Sequence, residues 1–173
     1  MTFNKVVFDI ETTMTADKIW CIVCKHNDTY YQFREDNLHR FEEFIKQTEE
    51  VIGHNILGFD IPVVNKIFGY DLFANCKKTD TLVLSRLLNP MIEGGHSLKN
   101  WGTKLGQAKI PFEQFDFFTE EMLTYCRNDV ELTERLYKFL ITKTKDFGQS
   151  VELEHKVAEI IQKQHDTGFK INV

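Results

Sequence analysis

The order in which strand-like and helix-like stretches follow one another constrains this chain more than any other feature. Lys5 to Glu11 (Lys-Val-Val-Phe-Asp-Ile-Glu) reads as a buried strand. Ile19 to Lys25 and Tyr30 to Phe33 read as two more, and the turn between them, containing Asn27-Asp28, makes them a hairpin. From there strands and helices alternate. Leu38 to Thr48 has helical spacing through Leu38, Phe41, Phe44 and Ile45, and Val51 to His54 is a short buried strand. Asp60-Ile61-Pro62 opens a helix, since Pro is tolerated in a first turn, and Gly69 closes it. Lys78 to Asp80 reads as a short strand and Thr81 to Leu88 as a helix stopped by Asn89-Pro90. Gly94-Gly95 is a loop, and Ser97 caps a helix over Leu98 to Leu105. Lys109 to Asp116 is irregular. Thr119 caps a long helix to about Ile141, and a last helix runs from about Val151 to Thr167 and stops at Gly168. Three strands followed by alternation indicate an α/β domain, a mixed sheet with helices on both faces.

The first strand carries the first chemical signal. Val6, Phe8 and Ile10 point to one face, and Val7, Asp9 and Glu11 to the other. Asp9 and Glu11 therefore share a side, about 7 Å apart along the strand. They are either solvated strand-end charges or a pair that a cation compensates, because burying two uncompensated carboxylates is costly.

The long helix carries the second. Projected at about 100° per residue, Met122, Cys126, Thr133, Leu136, Tyr137 and Leu140 form one stripe. Glu120, Arg127, Glu131, Glu134, Arg135 and Lys138 take the opposite side. Asp129 alone among the charged residues falls in the inward stripe, with Tyr125 four residues earlier beside it. A buried salt bridge, a hydrogen-bonded helix Asp and a metal ligand all satisfy that position. The third signal is His54-Asn55-Ile56-Leu57-Gly58-Phe59-Asp60, a loop after a strand, which is a favoured ligand position in open α/β sheets. Asp60 is a ligand there or the N-cap of the helix that follows. Taken together, four inward acids can converge on one crevice, and such oxygen ligands suit hard divalent ions. No His/Cys cluster points to zinc. Cys21-Ile-Val-Cys24 lies in a strand, where residues three apart face opposite ways, so the four cysteines read as reduced and structural.

At this point the residues resemble a known family. Asp9-x-Glu11, His54-Asn55-x-x-x-Phe59-Asp60 and Tyr125-x-x-x-Asp129 look like the three exonuclease motifs of the DEDD superfamily, in its tyrosine branch. Asp80-Thr81-Leu82-Val83-Leu84-Ser85-Arg86-Leu87, Gly95-His96-Ser97-Leu98-x-x-Trp101-Gly102, and the closing stretch from Glu154-His155 to Gly168-Phe169 are similar to the exonuclease domain of podophage-type family-A DNA polymerases. The resemblance covers nearly the whole chain. It implies a ribonuclease H-like fold with a five-stranded mixed sheet flanked by helices. It also implies a proofreading 3′→5′ DNA exonuclease that hydrolyses the 3′-terminal phosphodiester and releases nucleoside 5′-monophosphates.

By the same resemblance, Asp9, Glu11, Asp60 and Asp129 hold two divalent ions, Mg²⁺ or Mn²⁺. Tyr125 orients the attacking water, and Thr12 and Asn55 lie near the terminal nucleotide. A strand-end hydroxyl and a loop cap are the plainer roles for those last two. Trp101 and Phe59 are expected in the core, His54 as a loop hydrogen-bonder, and Lys99, Arg86 and Lys104 on the solvated surface. Residues 1–150 are expected to form the exonuclease domain, and 151–173 the C-terminal helix and the start of a connection toward a polymerase domain. Lys109 to Phe118 is shorter and less distinctive than the family pattern.

The charge balance fits this picture. A protein that grips long duplex DNA alone carries a basic face, whereas this chain has a net charge of −5. It suits a domain that handles a single-stranded or frayed 3′ end while a polymerase domain or subunit supplies most of the affinity. With no signal-peptide anatomy after Met1 and no apolar run of membrane-spanning length, a cytoplasmic protein is expected, in the host cytoplasm if phage-encoded. The rival readings are an RNA 3′-exonuclease of the ribonuclease D type and a non-catalytic module that binds DNA or a polymerase.

Overall fold

The structure is a computed structural model that describes residues 2–168. Five strands form one sheet: β1 (Val6–Thr12), β2 (Ile19–His26), β3 (Thr29–Arg34), β4 (Glu50–Gly53) and β5 (Lys77–Asp80). Their order is β3-β2-β1-β4-β5. The hairpin half is antiparallel, while β4 runs parallel to β1 and β5 parallel to β4. The helices are α1 (Leu38–Ile45), α2 (Asp60–Phe68), α3 (Thr81–Leu88), α4 (Leu98–Leu105), α5 (Glu120–Thr144) and α6 (Gln149–Thr167). The mixed five-stranded α/β architecture is the one expected.

The alternation along β1 sorts the helices into two layers. Val6, Phe8 and Ile10 enter a core with Phe41, Phe44, Val64 and Phe73, so α1 and α2 cover that face. Val7 enters a second core with Leu84, Leu98, Trp101, Met122, Val130, Leu136 and Leu140, so α3, α4 and α5 cover the other. Asp9 and Glu11 share the side of Val7, which turns them toward α5. Cys21 and Cys24 divide between the two cores, and all four cysteines are free.

Element limits follow the local chemistry. The α4 helix starts at its Ser97 cap, whose hydroxyl accepts from the Asn100 amide, and α5 at Thr119, which accepts from Met122. The first helix ends at Ile45, three residues before the expected Thr48. There Lys46, Gln47 and Thr48 close tight backbone turns, and Glu49 N donates to Phe3 O, drawing the chain toward the sheet. The long helix runs past Ile141 to Thr144, whose hydroxyl donates to Leu140 O within the buried last turn. The last helix is held by His155, which accepts from Asp80 N at 2.9 Å and pairs through Nδ1 with Val151 O. The closing Gly168-Phe169 signature extends outside the described residues.

Two expectations about large side chains divide. Trp101 is core, with its indole N–H donating to Ser85 Oγ. Phe59 is not: it stands just ahead of α2 as the N-cap residue and is 40% exposed. Helix α4 also comes unusually close to its neighbours. A Cβ on Gly102 would lie 2.5 Å from Gln107 O and 3.0 Å from Leu132 Cδ2. Among the described residues, no helix is long and apolar enough to cross a membrane.

Candidate metal centre

The four acids come from three elements. Asp9 and Glu11 end β1, Asp60 is the first residue of α2, and Asp129 sits in α5. Two contacts bring them together. The Cys126 thiol, on α5, donates to Asp9 O at 3.4 Å and lies 3.6 Å from Asp9 Oδ2, locking the helix against the strand. Asp60 Oδ1 accepts from the Ile10 amide at 3.2 Å, between the two strand acids in sequence. That amide is available because β4 stops at Gly53, leaving this part of β1 without a strand neighbour on that side. Asp60 is thus not the helix cap, the role open to it in the sequence.

The four carboxylates are near enough to act on one another electrostatically. Burial raises the Asp9 carboxyl well above the usual range, and Asp60, Glu11 and Asp129 add repulsion in that order. Glu11 is pushed up to about 9 by burial first, with Cys21, Asp129 and Asp60 adding to it and Lys109 opposing. Asp60 rises to about 7 through burial, moderated by backbone hydrogen bonds. Burial raises Asp129 too, against the pull of Lys109. Such a cluster binds protons when it lacks cations, and a divalent ion would replace them.

One atom tests whether an ion fits. Asp129 is 3% exposed, and its Oδ1 is buried with no hydrogen-bond partner. A buried carboxylate oxygen that nothing donates to is destabilising and calls for a cation. Asp9, Glu11 and Cys126 each present a ligand-capable atom, all within 4.8 Å of one another. The thiol is the odd member of that set. Burial holds its pKa well above the ordinary thiol value, so it stays protonated and serves Asp9 as a donor. The oxygen donors that remain suit a hard ion such as Mg²⁺ or Mn²⁺.

Tyr125 lies one turn before Asp129 and is 9% exposed. Phe112 stacks on its ring at 5.3 Å between centroids, and Phe115 meets it edge-on at 6.4 Å. Burial pushes the phenol up to about 12, so it keeps its proton and can both donate and accept. Thr12 is buried, and its hydroxyl donates to Thr13 O at 2.9 Å, the strand-end role that the sequence also allowed. Asn55 lies exposed in the loop after β4 with a φ of +65°.

Three residues with site roles escaped the sequence reading. Asp80 accepts from Asn55 N and Leu82 N, both at 2.8 Å, and from Leu57 N at 3.0 Å, fixing the loop that delivers Asp60. A carboxylate just ahead of a helix is the one signal that pointed to it. Cys126 was read as core, correctly, but its bond to Asp9 depends on how α5 docks. Lys109 sits in the irregular segment, with Nζ 2.7 Å from Asp129 Oδ2 and 4.7 Å from the centre of the Tyr125 ring. Nothing periodic marks such a residue. Beside it a groove of about 350 Å³ is lined by Lys99, Lys109, Pro111, Phe112 and Tyr125.

Known proteins resemble this chain in sequence and in fold. No family model matches the chain. It is 24% identical over 237 residues to a DNA-directed DNA polymerase of Enterobacteria phage T3, an alignment covering 95% of this chain and 33% of the relative. It is 24% identical over 234 residues to one of Escherichia phage T7, with the same coverage. The chain thus spans about a third of the length of these relatives, 33% in each case. Among solved structures, Brucella melitensis NrnC bound to pGG matches with a TM-score of 0.74 at 17% identity, over 98% of this chain and 89% of that one. NrnC with bound Mg²⁺ matches with a TM-score of 0.66 at 20% identity, over 93% of this chain and 81% of that one. Sequence similarity to phage DNA polymerases along 95% of this chain, and the α/β fold shared with NrnC, agree with the resemblance drawn from the motifs.

Proposed function

We propose that the chain is a metal-dependent 3′→5′ exonuclease acting on DNA ends, the proofreading unit of a polymerase. The observation that carries this is the convergence of four inward carboxylates, one with an orphaned buried oxygen, beside a protonated tyrosine. Similarity to phage DNA polymerases along 95% of the chain supports DNA as substrate and a polymerase domain as partner. In this reading residues 1–150 form the catalytic unit, and α6 begins the connection onward.

Asp9, Glu11, Asp60 and Asp129 would hold two divalent ions. Bound there, such ions activate water and stabilise the charge on the departing 3′ oxygen. The residues do the rest. Tyr125, held by the Phe112 and Phe115 rings, hydrogen-bonds the attacking water and fixes its line of approach. Asn55, exposed in the loop after β4, and Thr12, at the strand end, would meet the terminal nucleotide. Attack at phosphorus breaks the bond to the 3′ oxygen, which leaves as a hydroxyl, and a nucleoside 5′-monophosphate departs. A frayed or mispaired end enters more readily because it is already unpaired, which gives selectivity without reading sequence.

A second reading, cleavage of short RNA, is favoured by the fold shared with the pGG-bound NrnC. One experiment addresses both. Matched 5′-labelled DNA and RNA oligonucleotides are followed with Mg²⁺ and with EDTA, for wild type and Asp9→Ala. Stepwise loss from the DNA 3′ end in Mg²⁺ alone is expected. Asp9→Ala should run about 10³-fold slower, a loss of about 4 kcal/mol of transition-state stabilisation. Near wild-type turnover by that variant overturns the mechanism, and faster cutting of RNA selects the second reading.

A further inference from the structure

Lys109 brings a positive charge to face the acids, drawing down the carboxyl groups of Asp9, Glu11 and Asp129. Its place is built, although the segment carrying it has no regular structure. On one side Gln107 N donates to Gly102 O at 2.9 Å, tying the chain to α4 as it leaves Gly106. On the other, Ile110 N donates to Asn128 Oδ1 at 3.3 Å, tying it to α5. Between these anchors the ammonium lands 2.7 Å from Asp129 Oδ2. The sister oxygen of that same carboxylate has no partner. A lysine on Oδ2 and a divalent ion on Oδ1 of the same carboxylate would repel each other strongly in a dry site, so binding of the ion weakens the lysine's hold. The lysine has somewhere else to go: its side chain is 26% exposed and lines the groove that Lys99 also faces.

We propose that Lys109 is the site's resident counter-ion and a positioning residue for the reaction proposed above: its ammonium holds Asp129 while no divalent ion is bound, and in the loaded site it turns into the adjoining groove to meet a phosphate of the substrate. Cation binding is then an exchange of charges, not an addition. The second half rests on the nuclease reading; the first does not.

The test uses Lys109→Met, which keeps the length of the side chain and removes its charge, with Lys109→Arg as the charge-retaining partner. In EDTA the methionine variant should melt below wild type, and in saturating Mn²⁺ the two should melt alike. In calorimetric titration with Mn²⁺ alone it should bind about tenfold tighter, because no ammonium has to leave. The arginine variant should bind within about twofold of wild type. On an Asp129→Asn background the methionine change should move the EDTA melting temperature little, as expected if the two residues act as a pair. With single-stranded DNA at saturating Mn²⁺, KM should rise several-fold in Lys109→Met while kcat changes less.

Unchanged or weaker Mn²⁺ affinity in Lys109→Met overturns the counter-ion role, and so does tighter binding by Lys109→Arg. An unchanged KM overturns the positioning role. If wild type cuts no oligonucleotide with any cation, the nuclease reading falls, while the exchange with Mn²⁺ is still decided by calorimetry.

Discussion

The phenol of Tyr125 stands between an aromatic clamp and a carboxylate cluster. Phe112 and Phe115 fix the ring, so replacing the hydroxyl should leave the ring in place. Tyr125→Phe should therefore lower the single-turnover cleavage rate by about 10- to 100-fold with little change in DNA affinity, as removal of one orienting hydrogen bond implies. Stopped-flow cleavage and fluorescence anisotropy read the two quantities, and an unchanged rate removes Tyr125 from the mechanism. The residues on regular elements were legible in the sequence. Strand alternation put Asp9 and Glu11 on one side, and helix projection turned Asp129 inward. Lys109 was not legible, because an irregular segment has no period and its position depends on anchors from two helices. Phe59 misled for a related reason: a large apolar residue just outside a helix need not follow that helix's buried face.

Elements were read best where capping chemistry marks them. The Ser97 hydroxyl fixes the start of α4, and Gly69 and Gly106, both left-handed, terminate α2 and α4. Ends without such punctuation drifted, as in the early close of α1. Gly102 shows a close approach that no pattern reveals. Alanine is the better helix former there by up to about 1 kcal/mol. Yet its methyl would press on the carbonyl oxygen of Gln107, a residue whose own amide donates back to Gly102 O. Overpacking of this kind costs about 1–3 kcal/mol, so it outweighs the propensity gain. Gly102→Ala should lower the melting temperature, by about 2–4 °C for each kcal/mol of net loss in a chain of this size. A melting temperature equal to or above wild type would show that the segment yields freely.

At the scale of the molecule, the buried acids make stability depend on pH. The folded state holds Glu11 protonated up to about 9, against an ordinary value of 4.5, and Asp60 up to about 7, against 3.8. Between those limits the folded form binds more protons than the unfolded form, so stability falls as pH rises. In EDTA the protein should melt at a lower temperature near pH 8.5 than near pH 5.5, and saturating Mg²⁺ should recover most of the difference. A scanning calorimeter checks this, and a melting point that rises with pH in EDTA contradicts the shared crevice. The two-layer fold was legible from the order of elements alone, but this coupling was not. It arises from the docking of α5 and α2 on one strand end, and no short window of sequence contains it.

The brevity of β4 has a consequence for how such a centre could be lost. The Ile10 amide reaches Asp60 because no backbone carbonyl lies alongside to claim it. Any change that carried the fourth strand onward past Gly53, through the left-handed Asn55, would satisfy that amide with an ordinary rung of sheet. The sheet would gain a bond, and Asp60 would be left without its anchor. In this molecule the candidate place for ions is an unfinished edge, kept open by where a strand stops.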